Sequence, residues 1–513
     1  MNVCDYLLAG KTESAVALLT LSAQYTYGQL RLAASSVAAF LIASGGKKGD
    51  RVVLLADSSF FWAASYLGII RAGMVCVPLP AGVPAEDLQY VLSITEPTFA
   101  FVESKILARL SPLPNKPSWG AIPVISDLAG GSASDGITFQ QLQKQYPQNG
   151  ADSVSLPEVG LDDLAVLMFT SGSTGKPRGV MVSNRNIVAN TDSIIQYLSL
   201  NSRDRIMAVL PFHYCFGTSL LHTHLRVGGT VVIEPRFMYP EVVLQRMRET
   251  GCTGFAGVPS HYQILLRRSK LANMQFPNLR YVQQAGGQLA PSFIQELRAA
   301  LPDKQIFVMY GQTEATARLS YLPPEMLESK LGSIGKGIPG VKLSVLDENG
   351  LPVRHGETGE IVAEGENVCL GYWHENNSAC FRSGRLYTGD LATVDDEGFI
   401  YIVDRAKDFL KCGGKRVSAR QLENVLLEHQ ELLEAAVIGV PDEILGEAAV
   451  AYVVLRDPKS PLAASELYSH CRRKLPPAFV PKEFVFLRSL PKNSSGKVLK
   501  SLLKNQSVPV SCG

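Results

Sequence analysis

The stretch DRVVLLADSSFFWAASYLGIIRAGMVCVPLP, residues 50–80, decides the fold class. It contains two short apolar runs, DRVVLLA (Asp50–Ala56) and MVCVPLP (Met74–Pro80), which have the length of buried strands. Between them, FFWAASYLGIIRAG (Phe60–Gly73) has the pattern of a buried helix, and its apolar run is stopped by Arg71 and is too short to span a bilayer. Strand, helix and strand in succession are typical of a mainly parallel sheet covered by helices, so we expect an α/β fold.

The same alternation continues outward from this stretch and then changes. It recurs from Leu164 to Phe307, which extends the predicted parallel sheets. Around Val341 to Val403 it gives way to short strands separated by the turn sequences DENG and DDEG, as in an antiparallel, barrel-like appendage. The last segment has two further strands and a helix, enough for a small α+β domain. We therefore assign residues 1–407 to a large multi-subdomain N-terminal domain, with the barrel-like part at about 330–403, and residues 409–513 to a small C-terminal domain.

Composition and charge argue against several classes of function. The 513 residues include 49 Lys and Arg against 47 Asp and Glu, a balance that gives no electrostatic footprint for nucleic acid or an anionic membrane surface. The nine cysteines are odd in number and form no CxxC motif, which argues against a zinc site and a disulfide framework and fits a reducing cytosol. Asp5, Lys11 and Glu13 occupy the region where a secretory signal needs an apolar run. We expect a cytoplasmic protein that neither binds nucleic acid nor inserts stably into a membrane.

A second stretch, FTSGSTGKPRGV (Phe169–Val180), has the composition of a phosphate-binding loop. It is not a Walker A motif, because Thr170 and Pro177 stand where that motif requires Gly and a hydroxyl residue, and it lacks the G-x-S-x-G of a nucleophile elbow. A strand runs into six small or hydroxylated residues. Their backbone N–H groups and hydroxyls, with Lys176 and Arg178 close by, suit a triphosphate. A surface hairpin is the alternative interpretation.

Four further motifs follow along the chain. They are YGQTEAT (Tyr310–Thr316), YTGDLA (Tyr387–Ala392), DRAKDFLKCGGKRVS (Asp404–Ser418) and PKNSSGKVLK (Pro491–Lys500). Together with the glycine-rich loop, in this order and spacing, they make the chain resemble the adenylate-forming (ANL) superfamily over essentially its whole length. The resemblance is closest to the acyl- and aryl-CoA synthetases, which are AMP-forming acid–thiol ligases. It implies a small C-terminal domain that moves about a hinge at Asp408.

The resemblance also implies a two-step reaction. In such enzymes a carboxylate attacks the α-phosphate of ATP to give an acyl-adenylate and pyrophosphate, and a thiol then displaces AMP. Joining the carboxylate to AMP creates a good leaving group, which a free carboxylate lacks. The implied cofactors are ATP, Mg²⁺ and coenzyme A, or the phosphopantetheine of a carrier protein, and the implied partner is a small-molecule carboxylic acid.

Motif by motif, the resemblance assigns a nucleotide site. Thr170–Lys176 would cover the β- and γ-phosphates, with Arg178 where the family more often has Lys. Tyr310 would lie against the adenine, and Asp390 would accept the ribose hydroxyls. The stretch QQAGGQ would approach the adenine through its backbone. The positions assigned to the nucleotide are Thr170, Ser171, Gly172, Ser173, Thr174, Gly175, Lys176, Arg178, Ala285, Gly286, Gly287, Tyr310, Gly311, Asp390 and Arg405.

Four positions are assigned to the reaction itself. Thr313 would contact the α-phosphate, and Glu314 would hold Mg²⁺. Lys497 would neutralise charge between the carboxylate and the α-phosphate as the adenylate forms. His213 would lie near the carboxylate, unless it is only a core or surface histidine.

The identity of the acid depends on LPFHYCFGTSLLHTHLRVGG, residues 210–229. Amino-acid-activating members generally carry an Asp in this motif to hold the α-ammonium, and by our alignment Gly217 takes its position, so we expect a non-amino acid. An apolar, partly aromatic wall leaves fatty and aryl acids open. His222 and His224 do not share a helix face, so we predict no metal site there. The predicted wall residues are Phe212, Tyr214, Phe216, Gly217, Gly257, Val258 and Ala285.

The acceptor thiol is left open between two molecules. Coenzyme A is favoured by KCGGKR, in which Gly413 and Gly414, next to Lys411, would let the pantetheine arm approach. The alternative is a stand-alone adenylating enzyme that loads an acyl or peptidyl carrier protein. A silent or luciferase-like relative is a third class, and it is disfavoured because the acidic and lysine positions of the motifs are all present.

Overall fold

The structure, a computed structural model, describes residues 2–112, 118–128, 137–146, 155–171, 176–377, 379–405, 409–412, 415–442, 446–492, 496 and 498–504. The strands of these residues form two mainly parallel sheets covered by helices, one antiparallel sheet, and one mixed sheet in the C-terminal part. This arrangement confirms the α/β fold class. No described helix is both long enough and apolar enough to cross a membrane.

The strands, in chain order, are β1 (Val16–Leu19), β2 (Gln24–Thr26), β3 (Arg51–Leu55), β4 (Val75–Leu79), β5 (Phe99–Val102), β6 (Val124–Ser126), β7 (Leu164–Ser171), β8 (Pro177–Ser183), β9 (Arg205–Ala208), β10 (Thr230–Ile233), β11 (Gly254–Gly257), β12 (Tyr281–Gln284), β13 (Gln305–Tyr310), β14 (Ser320–Leu322), β15 (Lys336–Gly337), β16 (Val341–Leu346), β17 (Gly359–Gly365), β18 (Phe381–Arg382), β19 (Arg385–Val394), β20 (Ile400–Arg405), β21 (Phe409–Cys412), β22 (Lys415–Ser418), β23 (Leu432–Asp442), β24 (Gly446–Leu455) and β25 (Glu483–Leu487).

The α-helices are α1 (Val3–Leu8), α2 (Tyr27–Ala43), α3 (Phe60–Arg71), α4 (Ala85–Thr95), α5 (Ser104–Leu110), α6 (Phe139–Gln145), α7 (Asn184–Leu198), α8 (Cys215–Val227), α9 (Pro240–Glu249), α10 (Pro259–Arg268), α11 (Pro291–Ala300), α12 (Ala419–Leu427), α13 (Ala464–Arg472) and α14 (Lys500–Lys504). Short 3₁₀ turns lie at Leu271–Asn273, Thr313–Ala315, Pro324–Met326 and Pro477–Phe479.

The stretch at residues 50–80 has the predicted form. Ser59 caps α3 by accepting a hydrogen bond from the N–H of Trp62, and Gly73 follows the helix with a φ of +70°. Strands β3 and β4 pair in parallel on either side of this helix. Their sheet has the order β6-β5-β3-β4-β7-β8 and is parallel except for the hairpin of β7 and β8.

The second sheet carries the strands that end at the candidate site. Its order is β15-β14-β13-β12-β11-β9-β10-β1-β2, and it is parallel from β13 through to β1. Parallel strands have their carboxyl ends at the same edge, so the residues that follow β11, β12 and β13 come together. Helices α7 and α8 cover one face of this sheet, because their buried side chains join the same apolar cluster as β9, β11, β12 and β13.

The last two sheets follow the predicted change of pattern. Strands β16, β17, β19 and β18 form an antiparallel sheet in that order, with β20 on β19, and it spans Val341–Arg405. In the C-terminal part β22, β21, β24 and β23 pair in that order, with β25 beside β24. Helices α12 and α13 pack on this sheet around their own apolar cluster, as expected for a small α+β domain.

Two arginines of α10 join the large part of the chain to the C-terminal domain. Arg267 is buried, forms an ion pair of 2.5 Å with Glu296, and donates to the main-chain oxygens of Leu427, His429 and Leu432. The neighbouring Arg268 donates to the main-chain oxygens of Leu455 (2.6 Å) and Arg456 (3.1 Å). The docked orientation therefore depends on hydrogen bonds from α10 to the backbone around β23 and β24.

A buried histidine makes the stability of the large domain depend on pH. The Nε2 atom of His222 lies 2.9 Å from the Tyr66 hydroxyl in the core, and burial lowers the pKa of His222 to about 3. As the pH falls below the ordinary histidine pKa of about 6.5, His222 takes up a proton in the unfolded chain but stays neutral in the folded chain. Stability is lost as the pH falls from about 6.5 toward 3.

We expect His222→Phe to remove the contribution of His222 to this dependence. Between pH 7 and pH 5 the wild-type chain should lose about 2 kcal/mol more than the variant, since each pKa unit is worth about 1.4 kcal/mol. The measurement is urea unfolding at the two pH values. Equal slopes for wild type and His222→Phe would contradict the prediction.

Candidate active site

The predicted site residues converge at the carboxyl ends of three parallel strands. Val258 follows β11, Gly286 follows β12, and the turn Thr313–Ala315 follows β13. Gly286 has a φ of +85°, and a Cβ atom on it would lie 2.9 Å from Val258 Cγ1 and 3.5 Å from the hydroxyl of Tyr214. Only glycine suits this position, because it combines a left-handed backbone with close packing. The loop therefore presents bare backbone to the site.

The residues predicted to contact the adenine and the ribose, Tyr310 and Asp390, are linked by a hydrogen bond. The hydroxyl of Tyr310, at the end of β13, donates to Asp390 Oδ2 at 2.7 Å, and both side chains are buried. Asp390 follows Gly389, which has a φ of +74°, and its own N–H donates to Thr388 Oγ1 at 3.2 Å. The turn and the tyrosine thus hold the Asp390 carboxylate in one orientation.

The carboxylate of Glu314 is held by a residue that the motifs do not contain. The hydroxyl of Tyr372 donates to Glu314 Oε1 at 2.7 Å, and burial together with this carboxylate raises the pKa of Tyr372. Tyr372 therefore stays protonated and remains a donor. The guanidinium of Arg178 lies 3.5 Å from the centre of the Tyr372 ring and forms an ion pair of 2.6 Å with Glu375. Arg178 was expected to face phosphate, and in this structure its charge is balanced by Glu375.

The phosphate-binding loop is described only at its ends. Thr170 pairs with Arg178 across the hairpin of β7 and β8, and Lys176 is exposed with its Nζ 5.2 Å from the centre of the Tyr90 ring. The predicted phosphate ligands Gly172, Ser173, Thr174 and Gly175 lie outside the described residues, as does the side chain of Ser171.

The lysine motif reaches the same site from the C-terminal domain. A Cβ atom on Gly496 would lie 3.1 Å from Val258 Cγ2 and 3.2 Å from Ser260 Oγ, so the backbone just before Lys497 is in contact with the strand end beside Gly286. Lys497 itself, Asp408, Gly413 and Gly414 lie outside the described residues. The same holds for the side chains of Arg405 and Lys411.

On the acyl side the structure corrects one assignment, that of Gly217. The fully buried Phe212 packs in the core with its ring centre 5.3 Å from that of Trp62. A side chain at Gly217 would meet the main-chain oxygen of Pro211, so this position faces backbone and not a pocket. The expectation that Gly217 forms part of the acyl pocket wall is therefore wrong. One aligned motif does not say which way each helical position points.

Other acyl-side residues lie near the nucleotide positions. The hydroxyl of Thr313 donates to Cys215 Sγ at 3.4 Å, which joins the turn after β13 to the start of α8. His213 is half-buried, and burial lowers its pKa to about 4, so its imidazole is neutral at pH 7. His224 lies in the core, where its Nε2 is 3.2 Å from the Tyr281 hydroxyl.

Known protein families and solved structures match this chain over most of its length. The sequence profile described as AMP-binding enzyme matches residues 8–373, and the profile of the AMP-binding enzyme C-terminal domain matches residues 421–497. The chain belongs to the AMP-binding enzyme family. A long-chain-fatty-acid–CoA ligase, FadD13 of Mycobacterium tuberculosis, is 31% identical over 94% of this chain and 93% of its own length.

Two solved structures share the fold of this AMP-binding enzyme along nearly its whole length. The anthranilate CoA ligase AuaEII in complex with anthranoyl-AMP is 25% identical with a TM-score of 0.89, covering 98% of this chain and 97% of that one. The o-succinylbenzoate coenzyme A synthetase of Bacillus subtilis, in complex with ATP and magnesium ion, is 28% identical with a TM-score of 0.82, covering 98% of both chains.

The residues of this AMP-binding enzyme fit ATP and Mg²⁺. Mg²⁺ is usually held by one or two carboxylates together with phosphate oxygens, and Glu314 offers one half-buried carboxylate beside the Thr313 position. Asp390 offers a second, buried carboxylate whose orientation suits a diol. The sequence motifs predicted both carboxylates, Glu314 and Asp390. Tyr372 and Glu375 carry no signal in the sequence, because they come from a loop that only the fold brings to Glu314.

Proposed function

We propose that this AMP-binding enzyme is an acid–thiol ligase that activates a fatty or aryl carboxylic acid with ATP and transfers the acyl group to coenzyme A. The observation that carries the proposal is the meeting of three groups at one sheet edge. The Tyr310–Asp390 pair, the Tyr372–Glu314 pair and the backbone of Gly496 all lie at the carboxyl ends of β11 to β13. The first two suit a nucleotide with its metal, and the third brings a lysine motif to the reacting end.

In the first half-reaction the residues act by binding and charge stabilisation. A carboxylate oxygen of the acid bonds to the α-phosphorus of ATP, and the bond from that phosphorus to the pyrophosphate oxygen breaks. Asp390 holds the ribose, Thr313 donates a hydrogen bond to the α-phosphate, and Lys497 neutralises charge that develops on the α-phosphate and the attacking carboxylate. When bound, Mg²⁺ would be held by Glu314 and would screen the negative charge of the phosphates.

In the second half-reaction a thiol sulfur attacks the acyl carbon of the adenylate and AMP leaves with the bonding electron pair. Lys497 and the pantetheine face at Gly413 and Gly414 belong to the same small domain, so both cannot occupy the site in one orientation. We propose that rotation about Asp408 exchanges them. The Arg267 contacts to the C-terminal domain would be made in the adenylate-forming orientation.

The proposal is tested by acid-dependent ATP–pyrophosphate exchange with and without Mg²⁺, followed by thioester formation. Exchange that no carboxylic acid in a broad panel stimulates would overturn it. Purified acyl carrier proteins offered beside coenzyme A separate the two acceptors, since a carrier-loading enzyme would form thioester only with the protein.

We expect Tyr372→Phe to raise the Mg²⁺ concentration needed for half-maximal exchange by about tenfold, because a hydrogen bond to a charged group is worth about 1.5–3 kcal/mol. Titration of Mg²⁺ at fixed ATP measures it. Tyr401→Phe is a matched control, since Tyr401 donates to Asp395 at 3.3 Å away from the site. A Tyr372→Phe enzyme with the wild-type Mg²⁺ requirement would show that Glu314 does not hold the metal through this contact.

A further inference from the structure

A buried arginine near the acyl side of the site has no counter-ion. Arg318 lies between the turn at Thr313–Ala315 and β14, and only 1% of its surface is exposed. Within the described residues no carboxylate comes within ion-pair distance of it, and its Nη2 has no hydrogen-bond partner. It shares a hydrogen bond with the neutral Tyr197, and its other contacts are weak: Nε to Met309 Sδ at 3.4 Å, Nη1 to the Ala317 oxygen at 3.4 Å, and the ring of Phe216 at 3.9 Å.

Arg267 shows what this fold does with another buried arginine. It has Glu296 as a counter-ion and three main-chain oxygens as acceptors, so its charge and its donors are satisfied. Arg318 has no carboxylate within ion-pair distance among the described residues, and its Nη2 is unused; burial lowers its pKa, although a guanidinium stays protonated at neutral pH. A buried charge without a counter-ion is unfavourable, so an added anion beside Arg318 would be stabilising.

A second buried polar side chain on the same face of the sheet is also unsatisfied. Gln283, in β12, is 1% exposed, and neither its Oε1 nor its Nε2 has a hydrogen-bond partner. It pairs along the sheet with Phe307 of β13, whose ring centre is 6.1 Å from that of Tyr197. Tyr197 in turn lies beside Arg318. Two independent side chains therefore have unused hydrogen-bonding groups in the region that α7 and α8 cover.

This region adjoins the reacting end of the site. Tyr214, a neighbour of Arg318, has its hydroxyl 3.5 Å from the position of a Cβ on Gly286, and Met309 directly precedes Tyr310. A cavity of about 20 Å³, lined in part by Cys215, Thr313 and Thr316, lies on the same side and has room for one water molecule.

We propose that the acid activated by this enzyme is a compact acid with a second anionic group, a carboxylate or a sulfonate, which Arg318 binds and to which Gln283 donates. The inference rests on the proposed ligase function and changes its substrate class, since compact dianions such as malonate and sulfoacetate are neither fatty nor aryl acids. A planar guanidinium matches a carboxylate or sulfonate in a two-point contact. Away from water, such a contact stabilises the charge of Arg318 far more than its present stacking on Phe216. A monocarboxylic acid of the same size would leave the guanidinium unpaired.

The test is acid-dependent ATP–pyrophosphate exchange with matched pairs of acids. The dianionic set is malonate, succinate, glutarate, adipate, sulfoacetate and phthalate, and each is paired with the monocarboxylate of the same carbon skeleton. We expect the best dianionic acid to exceed its partner at least 30-fold in kcat/KM. If a monocarboxylate matches or exceeds its dianionic partner, the inference fails while the ligase function stands. If neither set supports exchange, the proposed function fails for compact acids and the inference falls with it.

A variant separates binding by Arg318 from a purely structural role. Arg318→Met keeps the contact with Phe216 and removes the charge, so kcat/KM for the dianionic acid should fall about 100-fold or more, while that for the monocarboxylate is unchanged or rises. Arg226→Met, which takes an arginine from the face of Tyr6, is the matched control. Isothermal titration with ATP alone shows whether the variant is folded. Equal losses for both acids, or an unfolded variant together with no preference in the wild-type panel, would overturn the inference.

Discussion

Lys497→Ala is expected to lose at least two powers of ten in adenylate formation and to keep the thioester step. The lysine is the only cationic residue of its motif that the resemblance assigns to the reacting carboxylate and α-phosphate, and preorganised charge of this kind is worth about 3–4 kcal/mol in the rate. Gly496, the residue before it, touches Val258 and Ser260 at the strand end beside the nucleotide positions. We therefore expect the docked C-terminal domain to deliver the ammonium.

The two half-reactions are measured separately. Exchange of labelled pyrophosphate into ATP reports the first, and conversion of a synthetic acyl-adenylate with coenzyme A reports the second. Lys504→Ala, a change at an exposed lysine in the nearby α14, should affect neither. If Lys497→Ala slowed both half-reactions to the same degree, the assignment of Lys497 to the adenylate step would have to be withdrawn.

Asp390→Ala is expected to raise the KM for ATP by two or more powers of ten. The carboxylate would accept two hydroxyl donors of the ribose, and a hydrogen bond to a charged group contributes about 1.5–3 kcal/mol. The same change leaves the buried hydroxyl of Tyr310 without its 2.7 Å partner, which adds a cost in the free protein.

Tyr310→Phe provides the comparison for this prediction. It removes the donor and keeps the carboxylate, so the KM for ATP should rise by about tenfold or less. Calorimetric titration with ATP, alongside the kinetics, shows whether binding or turnover has changed. An Asp390→Ala enzyme with a near-normal KM for ATP would mean that the ribose is held elsewhere.

Local sequence patterns predicted the parts of the fold that are settled locally. The apolar runs around residues 50–80 form β3, α3 and β4 because burial on both faces, the cap at Ser59 and the glycine after the helix all agree. The motifs likewise found the residues that follow β12 and β13. In each case the chemistry is carried by consecutive residues on one turn.

Tertiary relations could not be predicted in the same way. Gly217 was placed in a pocket because its motif position suggested it, and only the fold shows its Cα facing the oxygen of Pro211. Arg318 carried no sequence signal, because an arginine indicates a binding site only once its burial and lack of a counter-ion are known. Tyr372 reaches Glu314 across 58 positions of sequence.

The bonds from α10 to the C-terminal domain have a consequence for how the two parts of this enzyme can change. Every acceptor that Arg267 and Arg268 use on that domain is a main-chain oxygen, an atom that all twenty amino acids supply. Side chains on the docked surface can therefore be replaced without loss of these bonds, provided that the backbone keeps its path. The two arginines have no such freedom. Among relatives, the docked surface of the C-terminal domain should therefore vary more in sequence than these two arginines. A C-terminal domain exchanged from a relative should still dock on this large domain.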